Sequence, residues 1–113
     1  MIKFKIIFLE LVKEFLDKLD SKTRKKVIYN AWKSTEVNDP ELFKKLKGNI
    51  WEFRTKYLTK QIRLLAFWDK SEKTDILVVA THGFIKKTKK TLKTEIEKAE
   101  KIREQYFNSK KEG

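Results

Sequence analysis

One histidine, two arginines on neighbouring apolar runs and several lysines are the side chains of this 113-residue chain best suited to chemistry. His82 follows the run Asp75-Ile76-Leu77-Val78-Val79-Ala80-Thr81. It is the side chain here whose ordinary pKa lies near neutrality. Lys86 and Lys87 come just beyond, inside Ile85-Lys86-Lys87-Thr88-Lys89-Lys90. Arg63 interrupts an apolar run between Ile62 and Leu64, and Arg54 lies in the run before it. A hairpin would set these arginines side by side, where they repel unless an anion lies between them. Lys44, Lys45 and Lys47 form another basic cluster. Such a kit suits phosphate chemistry without a metal. RNA supplies its own nucleophile, the 2′-hydroxyl. A protein must take that proton, neutralise charge on the phosphate oxygens and protonate the leaving 5′-oxygen. Arginine is the best clamp, because its fork meets two oxygens at once.

Each of these residues also has an ordinary structural reading. His82 can close a strand with a structural hydrogen bond. Arg63 can lie on an exposed sheet face, paired with Glu52 or Asp69. Lysines at a helix end compensate its dipole. Trp51, Phe53, Phe67 and Trp68 can stack bases, but aromatics on strands more often fill a core.

The elements that must position these groups follow from periodicity. Residues 2–8 predict a strand. Lys3 and Lys5 before Ile6-Ile7-Phe8-Leu9 resemble a secretion signal only faintly, since Glu10 and Lys13 interrupt the run and no small-residue cleavage site follows. Leu11, Val12, Phe15, Leu16 and Leu19 form one helical stripe. Asp20 or Ser21 can cap a second helix with Val27, Ile28, Ala31 and Trp32 on one face. Asp39-Pro40-Glu41 predicts a short helix through Leu42, Phe43 and Leu46, ended by Gly48. Residues 50–58 and 61–68 predict strands joined by a hairpin near Thr59-Lys60. Residues 75–81 predict a central strand covered on both faces, which His82 leaves. Thr91 can cap a last helix with Ile96, Ala99, Ile102 or Arg103, and Tyr106 on one face. Residues 108–113 predict a frayed polar tail. The expectation is one α+β domain over residues 1–113, with no repeat and no linker.

Composition bounds the partners. Lys and Arg total 28 against 16 acids, a formal net charge of +12. A polyanion would relieve that self-repulsion, whether nucleic acid, a membrane surface or an acidic protein. Without cysteine there is no disulfide and no thiolate metal site, and a single histidine completes no His/Cys metal set. No metal or cofactor is expected. Three glycines form no phosphate-cradling loop, and no local context supports a Ser–His–Asp set. No run approaches the roughly 20 apolar residues of a membrane span, so a cytoplasmic place is expected.

Three segments then resemble a known family. Leu46-Lys47-Gly48-Asn49-Ile50-Trp51-Glu52-Phe53-Arg54 comes first, then Arg63-Leu64-Leu65-Ala66-Phe67-Trp68. His82-Gly83-Phe84-Ile85-Lys86-Lys87-Thr88 follows, with Lys90-Thr91. In order and spacing they are similar to the HigB-like, phage-derived branch of the RelE/ParE toxin superfamily. Leu92 departs from the pattern, standing where that branch often has proline. The resemblance implies a RelE-like domain, with helices packed on a twisted antiparallel sheet. It implies the toxin of a type II toxin–antitoxin pair, a metal-independent endoribonuclease cutting messenger RNA on the ribosome, blocked by a cognate antitoxin. On that pattern Arg63 steadies the scissile phosphate, with His82 as general acid or base and Lys86 adding charge. Lys44, Lys45, Lys47, Arg54, Lys87 and Lys90 border the RNA. Some related toxins use a carboxylate base, for which Glu52 is the nearest candidate, though it can equally pair with Arg54. Two other readings stand beside this one: a gyrase inhibitor like the ParE members, and a non-catalytic RNA binder.

Overall fold

The alternation from Trp51 and the apolar run after Gln61 become two long antiparallel strands, β3 (Trp51–Tyr57) and β4 (Lys60–Asp69). The computed structural model describes residues 4–112 except 90 and 92. Leu58 takes φ 56° in the tight turn between these strands. Tyr57 pairs with Lys60 and Arg54 with Arg63, so the arginines do face each other across the hairpin.

The remaining elements are β1 (Lys5–Phe8), α1 (Glu10–Lys18), α2 (Ser21–Ser34), β2 (Phe43–Lys45), β5 (Leu77–Ile85) and α3 (Lys93–Glu112). They complete the expected α+β fold around one five-stranded sheet, ordered β1-β5-β4-β3-β2. The sheet is mixed. Its pairs are antiparallel except that β1 runs parallel to β5, with Ile7 opposite Val79.

Strand alternation divides the core in two. Phe53, Ile62, Leu64, Ala66, Val78 and Ala80 pack against Val12, Leu16, Leu19, Val27 and Ala31 of the first two helices and their junction. Leu65, Phe67 and Val79 point the other way, onto Ala99, Ile96, Tyr106 and Phe107 of α3. Asp20 caps α2 as expected, accepting from the Thr23 amide at 3.1 Å.

The structure corrects several expectations. Residues 40–42 form a turn rather than a helix, and Phe43 enters a strand opposite Phe53. Asp39 does initiate structure, but by accepting from the Glu41 amide at 2.9 Å, a turn contact. Phe43 then stacks on Phe53 at 4.5 Å and on Trp51 at 4.9 Å, which favours extended backbone here. Gly48 takes φ +60° and turns the chain from β2 into β3, so it ends no helix. Trp32 does not join the inner face of α2; it is 60% exposed, as Tyr29 is at 58%. Helix α3 runs through residues 108–112, where a tail was expected. Its last turns are held to the sheet by Asp69, which accepts from Tyr106 at 2.6 Å and Lys110 at 2.8 Å. His82 lies within β5, not beyond it.

Candidate nucleic-acid interface

A cavity of about 520 Å³ opens on the α3 side of the sheet. Strand β2 gives it Lys44, the following turn Leu46 and Lys47, and β3 Glu52 and Arg54. The segment between β5 and α3 adds Lys86, Lys89 and Thr91, and α3 adds Ile96. Glu52 and Arg54 share this face because they are two apart on one strand. Five cations therefore surround one carboxylate.

That carboxylate is heavily engaged. Glu52 is 3% exposed and lies 3.3 Å from Arg63 Nε and 3.9 Å from Arg54 Nε. The Thr91 hydroxyl donates to it at 3.0 Å. Arg63 does not open into the cavity; it is 2% exposed beside it. Its guanidinium donates to the Ile62 carbonyl at 3.1 Å and to Gln61 Oε1 at 3.0 Å. Burial lowers its pKa, against the pull of Glu52. Burial also pulls the Lys86 ammonium below its ordinary value, and the charges of Arg63, Arg54 and Lys44 add to the effect.

His82 is placed elsewhere. A bulge opposite Leu65 and Ala66 shifts the β4–β5 register, so Ala66 pairs with Ala80 but Leu65 with His82. The extra residue, Thr81, reverses the alternation and turns His82 toward α3. Its Nε2 lies 3.1 Å from Glu95 Oε1 and its Nδ1 2.9 Å from the Thr81 hydroxyl. Burial lowers its pKa, while the bond to Glu95 opposes. The Thr81 hydroxyl donates to the Leu65 carbonyl at 3.2 Å, so its oxygen is left to accept from Nδ1–H while Nε2 meets the Glu95 carboxyl. Both ring nitrogens are thus occupied, and His82 does not line the cavity.

Of the residues expected to border RNA, the structure brings together Lys44, Lys47 and Arg54, and it adds Lys86 from the expected catalytic set. Lys45 points away, because it follows Lys44 on a strand. Lys87 is exposed and lines no part of this cavity. Lys90 and Leu92 lie outside the described residues. Sequence reading did not select Lys89, Thr91 or Ile96 for the site. Lys89 was visible within the basic run; the other two come from the path of the chain into α3, which no local pattern encodes.

Among the described residues, no group of three or more His, Asp or Glu side chains is placed to hold a metal ion. No helix among them is long and apolar enough to cross a membrane. The family model described as phage derived protein Gp49-like (DUF891) matches residues 14–104. No curated protein matches the chain.

Proposed function

We propose, because the chain belongs to the Gp49-like family of phage-derived proteins, that it is the toxin of a toxin–antitoxin pair and acts as an endoribonuclease. The family is RelE/HigB-like and is associated with such toxins, which implies a cognate antitoxin. The observation that supports cleavage is the cavity itself, with Lys44, Lys47, Arg54, Lys86 and Lys89 around Glu52. Five cations match the charge of a phosphate that gains negative charge as the 2′-oxygen attacks.

Glu52 is the carboxylate that lines the cavity, and it takes the general-base role. Lys86, whose ammonium is made more acidic by burial and like charges, delivers the proton to the 5′-oxygen. Arg54 and Lys47 hold the phosphate oxygens. Arg63 adds its charge from beside the cavity and fixes Glu52. His82, with both nitrogens occupied, holds Glu95 and so the first turn of α3 against the sheet. The open basic cavity suits a substrate presented by another surface, and messenger RNA on the ribosome is that substrate in this reading.

RNA ends mapped after brief induction test it. Codon-phased cuts are expected from the wild type, and Lys86→Ala or Arg54→Ala should relieve growth arrest without changing the melting temperature. Intact transcripts with altered DNA supercoiling would point to gyrase instead. Salt-dependent RNA binding with no cyclic-phosphate product would leave a non-catalytic binder.

A further inference from the structure

The turn between β2 and β3 borders a second cavity, of about 470 Å³. Lys44 and Lys45 are consecutive on β2 and point to opposite faces. Lys44 lines the first cavity and Lys45 the second. Lys47 likewise faces the first, while Gly48 and Asn49 border the second. The rest of the second cavity is Trp51, Trp68, Lys70 and Arg103.

Its chemistry is specific. No acid lines it, although the Glu100 carboxylate approaches Gly48 from α3. Lys45, Lys70 and Arg103 take part in no ion pair among the described residues. Two indoles meet edge-on at 5.6 Å, with the Lys70 ammonium 5.3 Å from the Trp68 ring centroid. Trp68 Nε1 is buried and has no hydrogen-bond partner among the described residues. An indole N–H can only donate, and a buried donor left unmade costs about 1–3 kcal/mol.

We propose that this cavity is a second subsite for single-stranded RNA, holding a nucleotide that flanks the one in the first cavity. The unpaired cations match a phosphate. The indole rings offer a stacking surface to a base, which is how single strands are bound without strong sequence preference. The Asn49 amide meets acceptors on the base edge. An acidic peptide would satisfy the cations but not the aromatic wall, which favours a nucleotide. A strand crossing the β2–β3 turn would occupy both cavities. For the first cavity, the proposal rests on the ribonuclease reading.

The test uses the full chain in an Arg54→Ala, Lys86→Ala background that does not cut RNA. Fluorescein-labelled uridylates, a trinucleotide and a decanucleotide, are titrated at several salt concentrations. Adding Lys45→Ala, Lys70→Ala and Arg103→Ala should shrink the decanucleotide's affinity advantage over the trinucleotide by at least about tenfold near 50 mM salt. It should also flatten the decanucleotide's salt slope by about 0.7, the change for the one phosphate this subsite neutralises. Tryptophan quenching by the decanucleotide should weaken in parallel. Unchanged affinity and slope, or no binding by the starting background, would overturn the subsite. Polyglutamate competing as well as RNA, with no quenching, would replace it with a general anion patch. RNA left intact by the wild type, alongside the expected binding losses, would reject cleavage and keep the subsite.

Discussion

Removing Glu52 should destabilise the domain far beyond an ordinary charge change. The carboxylate is 3% exposed and its partner Arg63 2%. It lies 3.3 Å from Arg63 Nε and accepts the Thr91 hydroxyl at 3.0 Å. Glu52→Ala leaves a buried guanidinium without its counter-charge. Breaking a buried pair from one side costs about 3–5 kcal/mol, against a total stability of about 5–15 kcal/mol. For a domain of this size, each kcal/mol moves the melting temperature by about 4–8 °C, so a fall of at least about 12 °C is expected. Thermal and urea melts measure it. Glu52→Ala with Arg63→Met should recover part of the loss, with a coupling of about 1–3 kcal/mol. Glu52→Gln keeps an acceptor for Thr91 and nearly the same shape. It should therefore melt closer to wild type yet lose cleavage by about 100-fold or more if Glu52 is the base. A Glu52→Ala protein melting within 3 °C of wild type, about half a kcal/mol by the same conversion, would refute the energetic argument. Full cleavage by Glu52→Gln would refute the catalytic one.

Stability should fall in acid in two stages, read as melting temperature against pH. Burial lowers the His82 pKa despite Glu95, so its contribution is complete above about 6.5 and fades as pH drops toward the folded value. Burial would raise the Asp69 carboxyl, but hydrogen bonds from Lys110, Ser71 and Tyr106 outweigh it and hold it well below the carboxylate range. Its contribution is complete above about 3.9 and fades below that. His82→Gln should remove the first stage and Asp69→Asn the second. Asp69→Asn should also cost about 1.5–3 kcal/mol near neutrality and speed amide exchange in the last turns of α3; unchanged exchange there would count against the anchor. Gly83→Ala should cost about 1–3 kcal/mol, because its new methyl meets the Phe15 ring and comes within 2.7 Å of Leu64 Cδ2. A denaturation midpoint equal to wild type would show that α1 can retreat freely.

Where one face of an element is apolar and the other wet, the sequence was legible. The alternation at Trp51–Tyr57 and the stripe Val12, Leu16, Leu19 depend on local burial, and both formed as expected. Leu42-Phe43 misled because Asp39 and Pro40 fit a helix start equally well. The decision came from Phe53 and Trp51, remote in sequence, stacking on Phe43. His82 misled for a similar reason: the bulge that re-aims it is a property of two strands together. The basic wall was legible as charge in Lys44, Lys47, Arg54 and Lys86. The depth of Arg63 was not, because its pairing with Glu52 is made across two strands and not within its own run.

The parallel pairing of the first strand with the last sets a condition on synthesis of the chain. Ile7 is made early, but its register partner Val79 comes long after it. At about 5–20 residues per second, the gap lasts about 4–14 s. Throughout that interval the N-terminal strand has no edge to join, and Ile6 and Phe8 must wait uncovered or rest on α1. The wall formed by Lys86, Lys89 and Thr91 follows β5, so it too arrives late. A product truncated before Leu77 lacks both the sheet closure and that wall. Assembly of the cavity therefore waits until β5 and the segment after it have been made, and chains that stop before Leu77 should carry no activity into the cell that makes them.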